Sequence, residues 1–266
     1  MRQGDLAGSF RLFRFAGIQV YIHWSWFLMA AVLVQFRAGR LGQSGYEALV
    51  DILAVFGIVL LHEFGHALAC RSVGGRANTI VLWPLGGVAF VQPPPRPGAM
   101  LWSLAAGPLV NVVLVPVTLA FALLLRVPPE AFYSEQVLMQ LPRLHQFAVT
   151  IAFTNFALLV FNMLPVYPLD GGQILQSLLW FVVGRSKSLL IASGIGLVLS
   201  IGGLLLALSV GELWLMMMAA FLAWQAYNGM RTARVLMQIE SSQRNNPWQT
   251  ATYAWPASPD DERDGR

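Results

Sequence analysis

Charged side chains are scarce in this chain. Asp, Glu, Lys and Arg together make up 11% of its 266 residues, whereas hydrophobic residues make up 56%. An ordinary soluble domain carries about 25% charged residues. The composition therefore argues against an ordinary soluble protein and predicts several membrane-spanning segments.

Cysteine is nearly absent, and the basic residues form no cluster. The single cysteine, Cys70, excludes an internal disulfide bond and a pair of thiolate metal ligands. The net charge is +4, but the basic residues lie scattered between apolar segments, without interleaved aromatic residues. We therefore expect no nucleic-acid partner, because orientation in a lipid bilayer explains these residues better.

The amino terminus lacks the exit site of a cleavable signal peptide. Arg2, Arg11 and Arg14 precede an apolar run over residues 16–36. This run is as long as the roughly 20 residues that cross a bilayer, and no clear small-residue cleavage site follows it. We expect it to remain in the membrane as an anchor.

Several apolar segments are long enough to cross a bilayer, and the predicted spans are residues 18–36, 48–70, 99–125, 147–164, 188–209 and 212–232. Residues 79–91, between the second and third spans, contain two β-branched apolar runs around a Pro and Gly turn, which is typical of a β-hairpin. The expected fold is an all-α polytopic membrane protein with about six transmembrane helices. The short hairpin should be membrane-associated and pack on the helices, because an open strand edge is not tolerated in lipid.

The predicted transmembrane domain covers residues 16–234. A basic tail over residues 1–15 and a polar, disordered tail over residues 235–266 are expected to flank it. The loops and tails on the amino-terminal side of the membrane hold most of the 17 Lys and Arg residues. The positive-inside rule therefore predicts a multi-pass integral membrane protein with both termini in the cytoplasm.

The second predicted span contains two histidines and a carboxylate. His62 and His66 are spaced i and i+4, so they share one helix face and can hold one metal ion, with Glu63 placed to act on a water molecule. His62 lies about 20 Å along the helix axis from residue 48, inside the hydrocarbon. Ionisable residues at that depth indicate a functional site. The pattern is the signature of zinc metalloproteases.

A third ligand follows from the predicted topology, because a catalytic zinc ion needs three protein ligands and one open position. Asp170 lies where Pro and Gly residues break the fourth span, and broken backbone at membrane depth must line protein or a cavity. The other carboxylates near membrane segments belong to the opposite side: Glu47, Glu212 and Asp51, which is expected as a boundary residue at the headgroups. We therefore predict that His62, His66 and Asp170 bind Zn2+ and that Glu63 is the general base.

These residues resemble the site-2 proteases, a family of intramembrane zinc metallopeptidases. The resemblance covers residues from about 10 to 235, and its motifs are His62-Glu63-Phe64-Gly65-His66, Asn162 with Pro168, Asp170 and Gly171, Ala106-Gly107-Pro108 with Asn111, and Pro84-Leu85-Gly86-Gly87. It implies the same zinc ligands and the same catalytic glutamate. Asn162, Asn111, Gly86 and Gly87 are candidates for substrate binding or oxyanion stabilisation. Asn162 could equally satisfy freed backbone groups, and Asn111 could instead join two helices by a hydrogen bond.

The resemblance points to the compact, six-span prokaryotic branch of the family. We expect none of the PDZ or CBS domains that other members carry, because no segment of these 266 residues has room for one. The resemblance implies a location in a prokaryotic cell membrane. Regulation by a PDZ or CBS domain on this chain is not expected.

The predicted function is hydrolysis of a peptide bond in or near the transmembrane segment of a membrane-protein substrate, as in regulated intramembrane proteolysis. The expected partners are that substrate and the lipid bilayer, and a regulatory membrane partner is left open. Two alternatives remain at this stage. One is an intramembrane metal transporter or sensor, and the other is a protease-like protein that binds membrane segments without cleaving them.

Overall fold

The computed structural model describes residues 8–41, 44–83 and 86–245. The elements in chain order are strands β1 (Ser9–Phe15) and β2 (Ile18–His23), helices α1 (Ser25–Leu41) and α2 (Gly45–Ser72), strands β3 (Arg76–Trp83) and β4 (Gly86–Gln92), and helices α3 (Pro97–Leu124), α4 (Glu135–Gln140), α5 (Arg143–Asn162), α6 (Asp170–Val183), α7 (Arg185–Val210) and α8 (Leu213–Asn245). A short 3-10 helix, Pro129–Phe132, precedes α4. The predicted helical architecture is confirmed.

Among the described residues, four helices, α2, α3, α5 and α7, are long and apolar enough to cross a membrane. Many of their apolar side chains point outward, such as Val113, which is 64% exposed, and this is expected for contact with lipid. The predicted sixth span lies within α8, where Gln225 and Asn228 make the helix less apolar than these four. The predicted first span is only partly helical, because residues 18–23 form β2 and the apolar part of α1 is short.

The predicted hairpin is part of a larger sheet. β3 and β4 pair antiparallel, as expected, but β2 also pairs parallel to β3, and β1 pairs antiparallel to β2. The strand order is therefore β1-β2-β3-β4, with β1 and β4 at the edges. Pro84 and Leu85, in the predicted turn, lie outside the described residues.

The sheet packs against the carboxyl-terminal half of α2. Alternate residues of β2 are buried, in the two-residue period of a half-buried strand. They form an apolar core with β3, α1 and α2 whose members include Ile18, Val20, Ile80, Leu82 and Phe64. This packing fixes the strands beside the helix that carries the two histidines.

Both segments predicted as tails contain regular secondary structure where the structure describes them. Residues 9–15 form β1 because they pair with β2, and residues 235–245 continue α8 rather than form a disordered segment. Residues 1–7 and 246–266 lie outside the described residues.

Asp51 is buried in the helix bundle, which the sequence did not predict, and its expected position at the headgroup level stays a prediction. The helix begins earlier than predicted, at a capping box in which Ser44 and Glu47 satisfy each other's backbone N–H groups. Asp51 is 0% exposed and accepts hydrogen bonds from Arg37 of α1, at 2.6 Å, and from Arg143 of α5. Its charge is compensated inside the protein, and the ion pairs join α1, α2 and α5 at the end of α2 distant from the histidines.

Candidate active site

Helix α2 presents three buried ionisable side chains within two turns. His62 is 4% exposed, Glu63 8% and His66 6%. The i and i+4 spacing places the two imidazoles on one face of the helix, edge to face, with ring centroids 4.7 Å apart. This face of α2 packs against α3.

Two glycines allow α2 and α3 to approach closely at this point. A Cβ atom on Gly65 of α2 would lie 2.6 Å from the carbonyl oxygen of Ala106. A Cβ atom on Gly107 of α3 would lie 2.8 Å from Nε2 of His62 and would overlap the ring of His66. No side chain fits in either place, so both positions require glycine for close packing of backbone and imidazole.

Helix α3 also fixes the orientation of both imidazoles. Nδ1–H of His66 donates to the carbonyl oxygen of Ser103 at 2.8 Å, and Nδ1–H of His62 donates to Oδ1 of Asn111 at 2.5 Å. Because both acceptors are carbonyl oxygens, the ring proton of each neutral histidine lies on Nδ1. Ser103, Gly107 and Asn111 are spaced by four residues and therefore share one face of α3.

The amide of Asn111 is itself held by α5. Its Nδ2 donates to Oδ1 of Asn155 at 2.7 Å, and Nδ2 of Asn155 donates to the backbone carbonyl of Asn111 at 3.2 Å. Both asparagines are fully buried. This pair assigns the amide orientation of Asn111 and directs its Oδ1 towards His62.

Asp170 completes the cluster from the first turn of α6. Its Oδ2 lies 3.1 Å from Nε2 of His62 and 3.4 Å from Nε2 of His66, and the two Nε2 atoms are 3.1 Å apart. The preceding loop contains Pro165 and Pro168, which cannot continue α5. A residue 108 positions along the chain is thereby brought to the two histidines.

The donor set fits a metal ion. With Nδ1 protonated on both rings, the two Nε2 atoms face each other as acceptors beside a carboxylate oxygen, an arrangement that a cation between them stabilises. A tetrahedral zinc site with bonds of about 2.0–2.1 Å separates its ligand atoms by roughly 3.3 Å, close to the three distances found here. His62, His66 and Asp170 can therefore hold one ion.

Glu63 lies beside this cluster but is bound by the sheet. Its Oε2 accepts a hydrogen bond of 2.7 Å from the backbone N–H of Ala89 in β4. A Cβ atom on the neighbouring Gly87 would lie 2.5 Å from Cγ of Glu63, so glycine allows β4 to approach the carboxylate. The edge of the sheet and the general-base candidate are in direct contact.

The remaining predicted site residues lie at different distances from the cluster. Asn111 contacts His62, Gly87 lies beside Glu63, and Gly86 begins β4 next to it. Asn162 is the last residue of α5 and is half-buried, and no contact joins it to the histidines among the described residues. Sequence reasoning missed Ser103, Ala89 and Asn155. Asn155 could have been found as an uncharged amide inside a predicted span, whereas the other two act through backbone atoms.

Comparison with known proteins identifies similar chains. A family model described as peptidase family M50 matches residues 50–208. The chain is 30% identical over 244 residues to a Synechocystis protein, covering 85% of this chain and 60% of that protein. It is also 30% identical over 227 residues to a zinc metalloprotease of Methanocaldococcus jannaschii, covering 85% of this chain and 62% of that protein. The chain thus spans about three fifths of the length of these curated relatives.

A solved structure is similar as well. The site-2 protease from Methanocaldococcus jannaschii matches with a TM-score of 0.59 and 27% sequence identity. The match covers 84% of this chain and 95% of that one. The similarity therefore extends over most of the chain.

Proposed function

Because the chain belongs to peptidase family M50, we propose that it is an intramembrane zinc metalloendopeptidase of the site-2 protease type. The observation that carries the proposal is the approach of His62, His66 and Asp170 to within 3.1–3.4 Å of one another beside Glu63. These three residues would hold Zn2+, and Glu63 would be the general base. The substrate would be a membrane protein cleaved in or near a transmembrane segment, with release of a domain to the cytosol.

The bound ion, Glu63 and the two residues that orient the histidines would each have a separate role in the reaction. Bound zinc would polarise the scissile carbonyl and lower the cost of deprotonating water. The backbone N–H of Ala89 donates a hydrogen bond to Oε2 of Glu63. The other carboxylate oxygen, Oε1, would therefore take a proton from the attacking water. The same carboxyl group would then give the proton to the leaving amine. Asn111 and Ser103 would keep both Nε2 atoms directed at the ion by holding the Nδ1 protons.

We further propose that the edge of β4 binds the substrate backbone. A transmembrane helix buries its carbonyls in hydrogen bonds, so the substrate must unwind locally before attack. β4 is an edge strand, and its Ala89 touches the general-base candidate, so an extended substrate segment added to this edge would pass Glu63. Proline at Val91 should lower substrate cleavage while zinc binding persists, whereas proline at Leu12, in the opposite edge strand β1, should leave cleavage unchanged. Equal cleavage by both variants would exclude this binding mode.

We propose that both termini face the cytoplasm of a prokaryotic cell, which puts the Asp170 end of α6 on the cytosolic side of the bilayer. Cysteines introduced at Arg185 and at Glu130, in a Cys70→Ala background, test this orientation. A membrane-impermeant thiol reagent added to intact cells should label position 130 only. Labelling of position 185 instead would reverse the assignment.

The catalytic proposal is tested with purified wild-type protein, Glu63→Gln and the matched control Glu212→Gln, whose side chain is exposed. Zinc content and cleavage of single-span membrane substrates are measured for each, and the cut site is determined by mass spectrometry. We expect Glu63→Gln to retain zinc and lose cleavage, and Glu212→Gln to match wild type. Zinc-free wild-type protein, or equal cleavage by all three, would contradict the proposal. Zinc transport into sealed vesicles that persists in Glu63→Gln would favour a transporter instead.

A further inference from the structure

The loop that delivers Asp170 is packed tightly onto its surroundings. Residues 163–169 connect α5 to α6, and Asp170 is the first residue of α6. A Cβ atom on Gly171 would lie 2.5 Å from the carbonyl oxygen of Leu164, and one on Gly172 would lie 2.5 Å from the carbonyl carbon of Val166. The loop therefore lies directly against the first turn of the helix whose first side chain is the third ligand candidate.

Tyr167 extends this packing to two further helices. A Cβ atom on Gly196 of α7 would lie 2.7 Å from the backbone nitrogen of Tyr167. A Cβ atom on Gly229 of α8 would overlap Oγ of Ser193 in α7, and would lie 2.9 Å from Cε1 and 3.0 Å from Cδ1 of the Tyr167 ring. Two glycines from different helices thus form a notch, defined here as Gly196 and Gly229, that holds the backbone and the ring of one loop residue.

The notch lies on a pair of helices that contributes none of the ligand candidates or the general-base candidate. α7 and α8 pack along each other, and Ser186 near the start of α7 donates a hydrogen bond of 2.6 Å to Glu240 near the end of α8. The histidines and Glu63 belong to α2, and Asp170 belongs to α6. Tyr167 is therefore a direct contact between the α7–α8 pair and the ligand-bearing loop.

Only two residues, Pro168 and Leu169, lie between Tyr167 and Asp170, and the chain between them is stiff. Pro168 has a fixed φ, and its carbonyl oxygen accepts a hydrogen bond of 2.8 Å from Nε2 of Gln173 in α6. A displacement of Tyr167 would therefore be passed to the start of α6. Ligand atoms need to be held to within about 0.5 Å for a working site.

We propose that Tyr167 and the notch are positioning residues for the third ligand, so that the α7–α8 pair sets the metal affinity of the site. This inference rests on the proposed function, because it assumes that His62, His66 and Asp170 bind a metal ion. The notch holds residues 163–169, and with them Asp170, in place in the metal-free protein.

The test compares glycines in the notch with glycines in open space on the same helix. Gly196→Ala and Gly229→Ala place a methyl group against Tyr167, whereas Gly194 and Gly202 of α7 have no atom within 4 Å of an added Cβ. The zinc affinity of purified full-length protein is measured by competition with a chelator. We expect at least a tenfold loss in both notch variants, as for other residues that orient a ligand, and no loss in Gly194→Ala or Gly202→Ala. Wild-type affinity in both notch variants would overturn the proposal.

Two further measurements separate positioning from general misfolding. Tyr167→Phe keeps the ring that contacts Gly229 and should bind zinc as wild type does, whereas Tyr167→Ala should show the tenfold loss. Amide hydrogen exchange of residues 163–169 in metal-free protein should be faster in Gly229→Ala than in Gly202→Ala, with exchange in α2 unchanged. Equal loop exchange in these two variants would overturn the inference. Absence of zinc from wild type would instead contradict the proposed function, and the metal-free exchange would still decide the role of the notch.

Discussion

The hydrogen bond from His62 to Asn111 allows a quantitative prediction for the variant Asn111→Leu. Leucine removes the acceptor of Nδ1–H on His62 and the hydrogen bond from Nδ2 of Asn111 to Oδ1 of Asn155, whereas the backbone carbonyl of residue 111 still accepts from Nδ2 of Asn155. Loss of a group that orients a metal ligand commonly lowers metal affinity 10- to 100-fold, about 1.4–2.7 kcal/mol. Each buried polar group left without a partner adds about 1–3 kcal/mol of destabilisation. Asn111→Leu should therefore lose both metal affinity and stability.

Asn155→Leu is the matched control, because it removes the partner of Asn111 but leaves the contact of Asn111 with His62. Its stability should also fall, since the Nδ2 donor of Asn111 is then unpaired in a fully buried position. The loss should be smaller than in Asn111→Leu, which leaves both Nδ1–H of His62 and Oδ1 of Asn155 without partners. Its zinc affinity should fall by much less than that of Asn111→Leu.

The assay is chelator competition for zinc on detergent-purified protein, with thermal unfolding of the metal-free forms measured in parallel. The expected result is a gap of about tenfold or more in zinc affinity between the two variants, both of which should have a lower Tm than wild type. Equal zinc affinity in Asn111→Leu and Asn155→Leu would refute the reasoning, because the orientation of His62 would then not depend on Asn111. Wild-type affinity in both variants would refute it as well.

Three other outcomes are expected. Asp51→Asn should destabilise the protein by about 3–5 kcal/mol, because it leaves two arginines without their buried carboxylate. Denaturant unfolding should show this loss of stability. The control variant Glu130→Gln, at an exposed position, should unfold as wild type does. Gly107→Ala should abolish zinc binding, because its methyl group would occupy the space of both imidazoles. Gly57→Ala, in open space on α2, should bind zinc as wild type does and gain up to about 1 kcal/mol of stability. Chelation should lower Tm, and zinc at 100 times its Kd should restore about 2.7 kcal/mol, or roughly 5–10 °C. Glu63→Gln should respond to zinc as wild type does, and a Tm independent of zinc in both proteins would contradict the proposed site.

The local features of this protein could be read from its sequence because they depend on residues within a few turns of one another. The i and i+4 spacing of His62 and His66 places them on one face of any helix that contains them. Long apolar runs separated by polar segments indicated the membrane helices, and the sidedness of those helices identified Asp170 although 108 residues separate it from His62. That deduction needed only alternating spans and the cost of burying a carboxylate in lipid.

The sheet and the buried charges could not be read in this way. Residues 18–23 are apolar and precede an apolar helix, so composition alone did not distinguish a strand from the start of a span. Asp51 was expected at the headgroups because it lies only three residues into the predicted second span, and its burial was missed because its partners, Arg37 and Arg143, come from two other helices. A carboxylate is stable in a buried position only when such partners converge on it, and convergence is a property of the packed bundle.

The sequence alone therefore indicated which residues are candidates for the chemistry, and the side of the membrane on which they lie stays a prediction from the sequence. Only the tertiary structure decided how they are held. Ser103 and Ala89 act through backbone atoms that are present in every residue, and Gly65, Gly107 and Gly229 matter because another element passes within contact distance of them. Such contacts depend on how closely two backbones approach, and this distance is set by the packing of the whole bundle rather than by neighbours along the chain.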